Sequence, residues 1–346
     1  MNTTQAQGRE APATTRGGRW RRLSRLAGGV LAAVLLASLA YVAARHWRAV
    51  RQYAWHVRPG LLALSCVCLA AARCLNPAGV WGVFRLFGKA VPVSLCWRAY
   101  CLSQFAKYVP GGVWWMLARA YLYARSGVAG ATGGVMIVVE QALFIAGSLV
   151  VFFVALPWFP GVGGGGWLWL CVGALVAMLA LLHPRVVSWG YAVVQRRLDE
   201  AAGPVEVSYR GMVGLLALYS ALWLGAGVAF CLMAASVTAV PWGHWPALVG
   251  MFAGACGLGS IVAVAPSGLG VREGGLAAFL SLLYPLPVAV ALALAARLWW
   301  FAIDVLFAGG SVGLLTVARG RVDWRAAEPQ ATPKEGAGAE LGRGLS

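Results

Sequence analysis

Eight ionisable side chains lie in stretches too apolar to be wetted in the ordinary way: the acids Glu140, Glu273 and Asp304 and the cations Arg73, Lys107, Arg119, Arg272 and Arg297. A charge at the centre of a membrane helix costs about 2.5–3.5 kcal/mol on insertion scales, so such residues call for a partner or a hydrated cavity. The cations could grip a phosphate headgroup through charge-assisted hydrogen bonds. The acids would then balance them, with one available to carry a coupling proton. A second reading makes them structural ion pairs that fix helix register, for instance Arg73 with Glu140. Arg297 and Asp304 are nearly two helical turns apart, so both project from one helix face. Their axial separation of about 10 Å is too long for direct pairing, and each must find its partner on another element.

Positive charge clusters around one segment in particular. Lys107, Arg119 and Arg125 flank Pro110, Gly111 and Gly112, and Trp115, Arg119 and Tyr123 recur every four residues, on one face of a helix. Aromatics beside an arginine suit a lipid headgroup; they equally suit anchors at the membrane interface. Proline removes a backbone donor and paired glycine loosens the chain, so two half-helices meeting near Pro110 are expected over 96–131, as a re-entrant hairpin. A second break at Pro266, Gly268 and Gly270 precedes Arg272 and Glu273 at once. Interruptions in both halves of a chain are a pattern of inverted-repeat transporters with a central site; two interfacial loops would look alike at this level.

The elements that must hold these residues are membrane helices. The 346 residues are 60% hydrophobic and 11% charged, with a mean hydropathy of +0.74. Soluble domains carry about 25% charged residues. Apolar runs occur at 26–44, 60–84, 132–156, 166–183, 211–237, 246–265, 274–285 and 288–317, against the roughly 20 residues needed to cross. The expectation is an all-α polytopic fold of about eight spans with a broken-helix pair and a candidate inverted repeat. Residues 1–25 form a basic N-terminal tail, 26–317 the membrane domain and 318–346 a disordered C-terminal tail. Run 26–44 reads as an uncleaved first helix rather than a signal peptide.

The net charge of +17 is spread between apolar spans, which argues for anionic lipid headgroups and topology signals over nucleic acid. Arginines in 1–25, in 184–210 and after 318 place both termini on the cytoplasmic side of a cell (cytoplasmic-type) membrane. Segment 45–58, with Arg45, Arg48, Arg51 and Arg58, would then face outward against the rule. The eight cysteines show no CxxC spacing and read as small buried hydrophobes; no metal, cofactor or nucleotide motif is expected.

The interrupted segments resemble the lysylphosphatidylglycerol synthase transmembrane-region family, also described as flippase-like domain proteins. Its Q-F-x-K-Y-x-P-G-G-x-W stretch is similar to Gln104–Trp114, its R-x-Y-L to Arg119–Leu122 with Arg125 and Gly127, and its P-x-G-L-G-x-R-E-G to Pro266–Gly274. Glu140 and Arg297 also fit. The resemblance spans about 60–317 and implies lipid handling: moving or presenting modified phospholipids or polyprenyl-linked lipids. It points to Lys107, Pro110, Gly111, Gly112, Arg119, Glu140, Gly268, Gly270, Arg272, Glu273 and Arg297 as functional positions; Asp304 is added from burial alone. Fused members carry a soluble aminoacyl-transfer domain after the membrane region. This chain ends at Ser346 without one, so synthesis of an aminoacyl lipid by it alone is not expected.

Three functional expectations follow. The first is translocation or presentation of an anionic lipid by Lys107, Arg119 and Arg272, with Arg125, Arg297, Trp115 and Tyr123 lining the headgroup path. The second is a membrane-embedded headgroup transferase using Glu140 or Glu273 as general base. The third is a scaffold for a separate cytoplasmic lipid-modifying enzyme.

Overall fold

In the computed structural model, the residues described are 51–53, 55–107, 113–161, 166–181, 183–197, 207–261 and 270–319, with Ala37, Tyr41 and Ala44. The expected first helix, both breaks at their Pro-Gly positions, and the two tails therefore lie outside the described residues, except for Gly270 and the end of the last helix.

Ten α-helices make up the described chain: α1 Pro59–Leu86, α2 Val93–Ala106, α3 Trp114–Ala124, α4 Gly130–Ala155, α5 Gly166–Leu181, α6 Pro184–Arg197, α7 Tyr209–Val237, α8 Trp245–Ile261, α9 Val271–Leu280 and α10 Leu286–Arg319. Among the described residues no strand occurs. Helix is what lipid demands, since it satisfies every backbone group within one segment. Four helices contain stretches long and apolar enough to cross: Pro59–Leu86, Thr132–Trp158, Tyr209–Val237 and Leu286–Phe307.

The order of lengths repeats. A long helix, two short ones and a long one (α1 to α4) are followed, after α5 and α6, by the same sequence again (α7 to α10). At 1.5 Å per residue, α3 and α9 reach only about 15 Å, half of a hydrocarbon core of about 30 Å. The run 274–285 is therefore no span by itself: α9 ends at Leu280 and packs back on α8, as α3 packs on α2. Packing follows the repeat too. α1 lies on α7, its own counterpart. α8 lies on α4 of the other half, and α2 lies on α10.

The two halves run in opposite senses. Ala72 meets Gly225, Gly79 meets Tyr219, Gly82 meets Leu215 and Leu86 meets Gly211, so rising numbers on α1 face falling numbers on α7. Corresponding first helices are thus antiparallel, and the repeat is inverted. The backbone just before α1 reinforces this. His56 and Arg58 donate their N–H groups to the carbonyls of Val237 (3.0 Å) and Ser236 (2.8 Å) at the far end of α7. Tyr53 Oη lies 2.6 Å from Thr238 Oγ1. Residues 53–58 that are described thus meet the bundle at the end of α7 that leads into the 238–245 connection.

Small residues make these approaches close, as membrane helix interfaces require. A Cβ at Gly147 of α4 would sit 2.7 Å from the backbone carbon of Tyr219 on α7. On α8, Gly250 and Gly254 face Ala155 and Phe152 of the segment around the end of α4. We expect Gly147→Ala to destabilise the protein by about 1–3 kcal/mol, because backbone cannot yield to the added methyl. Gly173→Ala, on an exposed face with open space around it, should leave the unfolding transition in mixed detergent micelles where it was. Equal transitions for the two variants would refute the close α4–α7 packing.

Candidate functional site

The middle of α10 organises the site. Arg297, Trp300 and Asp304 follow one another at three and four residues, which places them on a single helical face. One end of that face receives Lys107, just past α2, and the other the start of α9.

At Asp304, Oδ1 faces Arg73 Nη2 of α1 at 2.6 Å, and Oδ2 is bonded by Lys107 Nζ, just past the end of α2. One carboxylate thus serves two cations from two elements. At Arg297, Nη1 lies 3.4 Å from Glu273 Oε1, a looser ion pair. The other oxygen of Glu273 accepts the N–H of Gly270 at 2.7 Å. Gly270 has φ +83°, a conformation that glycine adopts at little cost, and it precedes the first residue of α9. So Glu273, at the third position of α9, caps the helix and draws its start against α10 with one side chain.

Trp300 stands between the two ends. The Arg272 guanidinium carbon is 4.4 Å from its ring centroid, and that of Arg73 is 5.0 Å away. Arg272 also lies over Phe252 of α8 at 5.4 Å. It is 9% exposed, and its Nη2 makes no hydrogen bond among the described residues. Buried polar groups are nearly always paired, so such an atom asks for an explanation.

Arg119 occupies a separate compartment. Its Nη1 donates to Glu140 Oε2 at 2.6 Å and its Nε to Ser103 Oγ at 3.2 Å. Tyr100 and Trp115 stack on it at 4.7 and 5.0 Å. Both charged partners are at least 95% buried. This pair binds α3 to α4, as Glu273 with Arg297 binds α9 to α10, with the signs exchanged.

The structure brings together Lys107, Arg272, Arg297, Glu273 and Asp304 and sets the Arg119–Glu140 pair beside them. The shared face of Trp115, Arg119 and Tyr123 exists, though Tyr123 turns into the core against Phe84. Arg125 is exposed at the end of α3, near Tyr121. Arg73 is held by Asp304, and Glu140 by Arg119, so the pairing of Arg73 with Glu140 considered from sequence does not form. Pro110, Gly111, Gly112, Pro266 and Gly268 lie outside the described residues. Sequence reasoning missed Trp300, Ser103 and Tyr100. Trp300 was detectable, being three residues after Arg297 on the charged face. Ser103 carried no signal, since its role depends on how α2 meets α3.

Among the described residues, Arg73 and Lys107 pair with Asp304, Arg119 with Glu140 and Arg297 with Glu273. Losing one partner of a buried pair costs about 3–5 kcal/mol, because an uncompensated charge remains. Asp304→Asn, which strips the shared carboxylate from two cations, should destabilise by that amount. Leu306→Ala, on the exposed side of α10, should do little. Removing the Arg119–Glu140 pair together, as Arg119→Met with Glu140→Leu, should recover most of the stability that either change alone loses. Additive losses in that double-mutant cycle would show that the two side chains do not interact.

A family model described as lysylphosphatidylglycerol synthase TM region matches residues 25–308. No curated protein matches the chain.

Proposed function

The chain belongs to the lysylphosphatidylglycerol synthase TM-region family, and from that premise we propose that it moves or presents an anionic lipid across a cell membrane. The family and the apolar helices support a membrane protein related to lipid handling. The finer reading rests on one observation above the rest: the buried Arg272 guanidinium, whose Nη2 makes no hydrogen bond among the described residues. A phosphate headgroup would supply the missing acceptor through charge-assisted hydrogen bonds.

The inverted repeat suits this role. Hairpins entering from opposite sides and ending at one helix face leave a site near the bilayer centre, reached from either side by rearranging one half against the other. In this reading Arg272, Arg297 and Lys107 meet the headgroup. Arg119, already engaged by Glu140 and Ser103, positions α3 rather than touching lipid. The basic segments 1–25 and 184–210 and the residues after 318 would lie on the cytoplasmic side, following the positive-inside rule.

The test is headgroup accessibility in proteoliposomes containing a trace of fluorescent phosphatidylglycerol and an impermeant quencher. The wild-type chain should accelerate loss of inner-leaflet signal. Arg272→Ala should slow that loss at least about tenfold, the equivalent of about 1.4 kcal/mol. Leu298→Ala, exposed on the same helix, should not. Full-rate movement by Arg272→Ala would place the lipid path elsewhere.

A further inference from the structure

Two neighbouring side chains at the start of α9 hold unmet hydrogen-bonding atoms of opposite kind. Among the described residues, Arg272 Nη2 is a donor without an acceptor and Glu273 Oε1 an acceptor without a donor. Arg272 is 9% exposed and Glu273 1%, so bulk water does not complete either. Buried polar atoms are nearly always paired, and leaving one unpaired is costly. Consecutive residues on a helix do not face each other, so the two do not complete one another. Each reaches α10 separately. Arg272 lies over Trp300 at 4.4 Å, and Glu273 Oε1 is 3.4 Å from Arg297 Nη1. Arg297 and Trp300 are three residues apart on one face, about 4.5 Å along the axis.

Neither atom finds its partner by a small rotation. The ring neighbours of Arg272, Trp300 and Phe252, offer no acceptor oxygen. The other oxygen of Glu273 is committed to the Gly270 N–H at 2.7 Å, and turning the carboxylate away would uncap α9. A ligand that completes this place therefore brings an acceptor and a donor on one molecule, about one helical turn apart. A phosphate ester supplies the acceptor for the guanidinium. The donor then belongs to the group esterified to that phosphate. A hydroxyl donates to Glu273 while adding no charge. An ammonium would place a further cation beside Arg272 and Arg297, where like charges repel strongly at low dielectric.

We propose that Glu273 Oε1 is a specificity determinant that accepts a hydrogen bond from a hydroxyl on the headgroup while Arg272 holds its phosphate, so that the site selects a hydroxyl-bearing phosphate ester, of glycerol or sugar type. That the ester is part of a lipid, and that Arg272 meets its phosphate, rests on the function proposed above. A site built to bond a ligand hydroxyl discriminates strongly against the analogue lacking it, because the protein's buried acceptor then stays unpaired. One carboxylate thus holds the helix start with one oxygen and reads the headgroup with the other.

The full chain, purified in detergent, would be titrated with chain-matched phosphatidylglycerol, phosphatidylmethanol and phosphatidylethanolamine, and separately with glycerol phosphate, bound ligand being read by native mass spectrometry. Phosphatidylmethanol has the charge and phosphate oxygens of phosphatidylglycerol but no hydroxyl. Phosphatidylglycerol should bind at least about tenfold more tightly than phosphatidylmethanol and more tightly than phosphatidylethanolamine. In Glu273→Gln the amide carbonyl still accepts the Gly270 N–H, but a donor replaces Oε1. That variant should bring the ratio of the two equally charged lipids close to one. A change in overall electrostatics or in the helix cap would move both lipids together and leave the ratio alone. If Glu273→Gln does not fold, the wild-type series decides. Equal binding of phosphatidylglycerol and phosphatidylmethanol, tightest binding of phosphatidylethanolamine, or a ratio that survives Glu273→Gln overturns the hydroxyl-reading role; lipid handling stands if Arg272→Ala weakens binding of these lipids. Binding of glycerol phosphate without any of the lipids keeps the hydroxyl-and-phosphate site and defeats the lipid reading. Binding of none of the four overturns both.

Discussion

A charge in the middle of a bilayer must be answered by something nearby, and in this protein that requirement falls on one face of α10. Arg297 and Asp304 sit there on either side of Trp300, too far apart to answer each other. Asp304 draws in Arg73 from α1 and Lys107 from the end of α2. Arg297 draws in Glu273 from α9. Three separate segments thus converge on a single stretch of helix because leaving any of these groups alone in hydrocarbon would cost more than the convergence does. α3 and α9 are each too short to cross the bilayer by themselves.

The same device appears twice with opposite sign. In the first half the short helix carries the arginine and the following long helix the carboxylate, Arg119 to Glu140. In the second half the short helix carries the carboxylate and the long helix the arginine, Glu273 to Arg297. The two pairs also differ in quality. The first is tight, with Arg119 also donating to Ser103, and walled by aromatic rings. The second is a 3.4 Å contact next to an arginine whose Nη2 makes no hydrogen bond among the described residues. A ligand that competes for cations would find the second pair the easier to open. Under the proposed function, this asymmetry within an otherwise repeated scaffold would separate a fixed wall from the lipid-binding site.

Close helix packing makes this arrangement rigid enough to matter. Hydrophobic association contributes little between helices already in lipid, so contact area and small residues must carry it. Gly79 and Gly82 on α1, Gly147 on α4, Gly227 on α7 and Gly250 and Gly254 on α8 each meet a neighbour's side chain or backbone directly. The indole of Trp223 on α7 donates to the carbonyl of Phe144 on α4 at 2.8 Å, crossing between halves with one polar contact. α1, α4 and α7 therefore form a frame, and the hairpins and α10 work within it.

Much of this was legible in the residues themselves. Apolar runs, the scarcity of charge and the family resemblance determined an all-helical membrane protein, because a helix in lipid is a property of local composition. Spacing alone placed Arg297 and Asp304 on one face and required partners for both on other elements. What the sequence could not decide was who those partners are. Any of five cations could meet any of three acids, and periodicity describes one helix at a time, never which helix lies beside it. Only tertiary packing gave Arg73 to Asp304 and Arg119 to Glu140, shortened the run 274–285 to a helix that turns back, and brought Trp300 between two arginines. The inverted repeat stands between these cases: the two breaks hinted at it, but its proof is the antiparallel packing of α1 on α7, a contact between residues more than a hundred positions apart that no local pattern encodes.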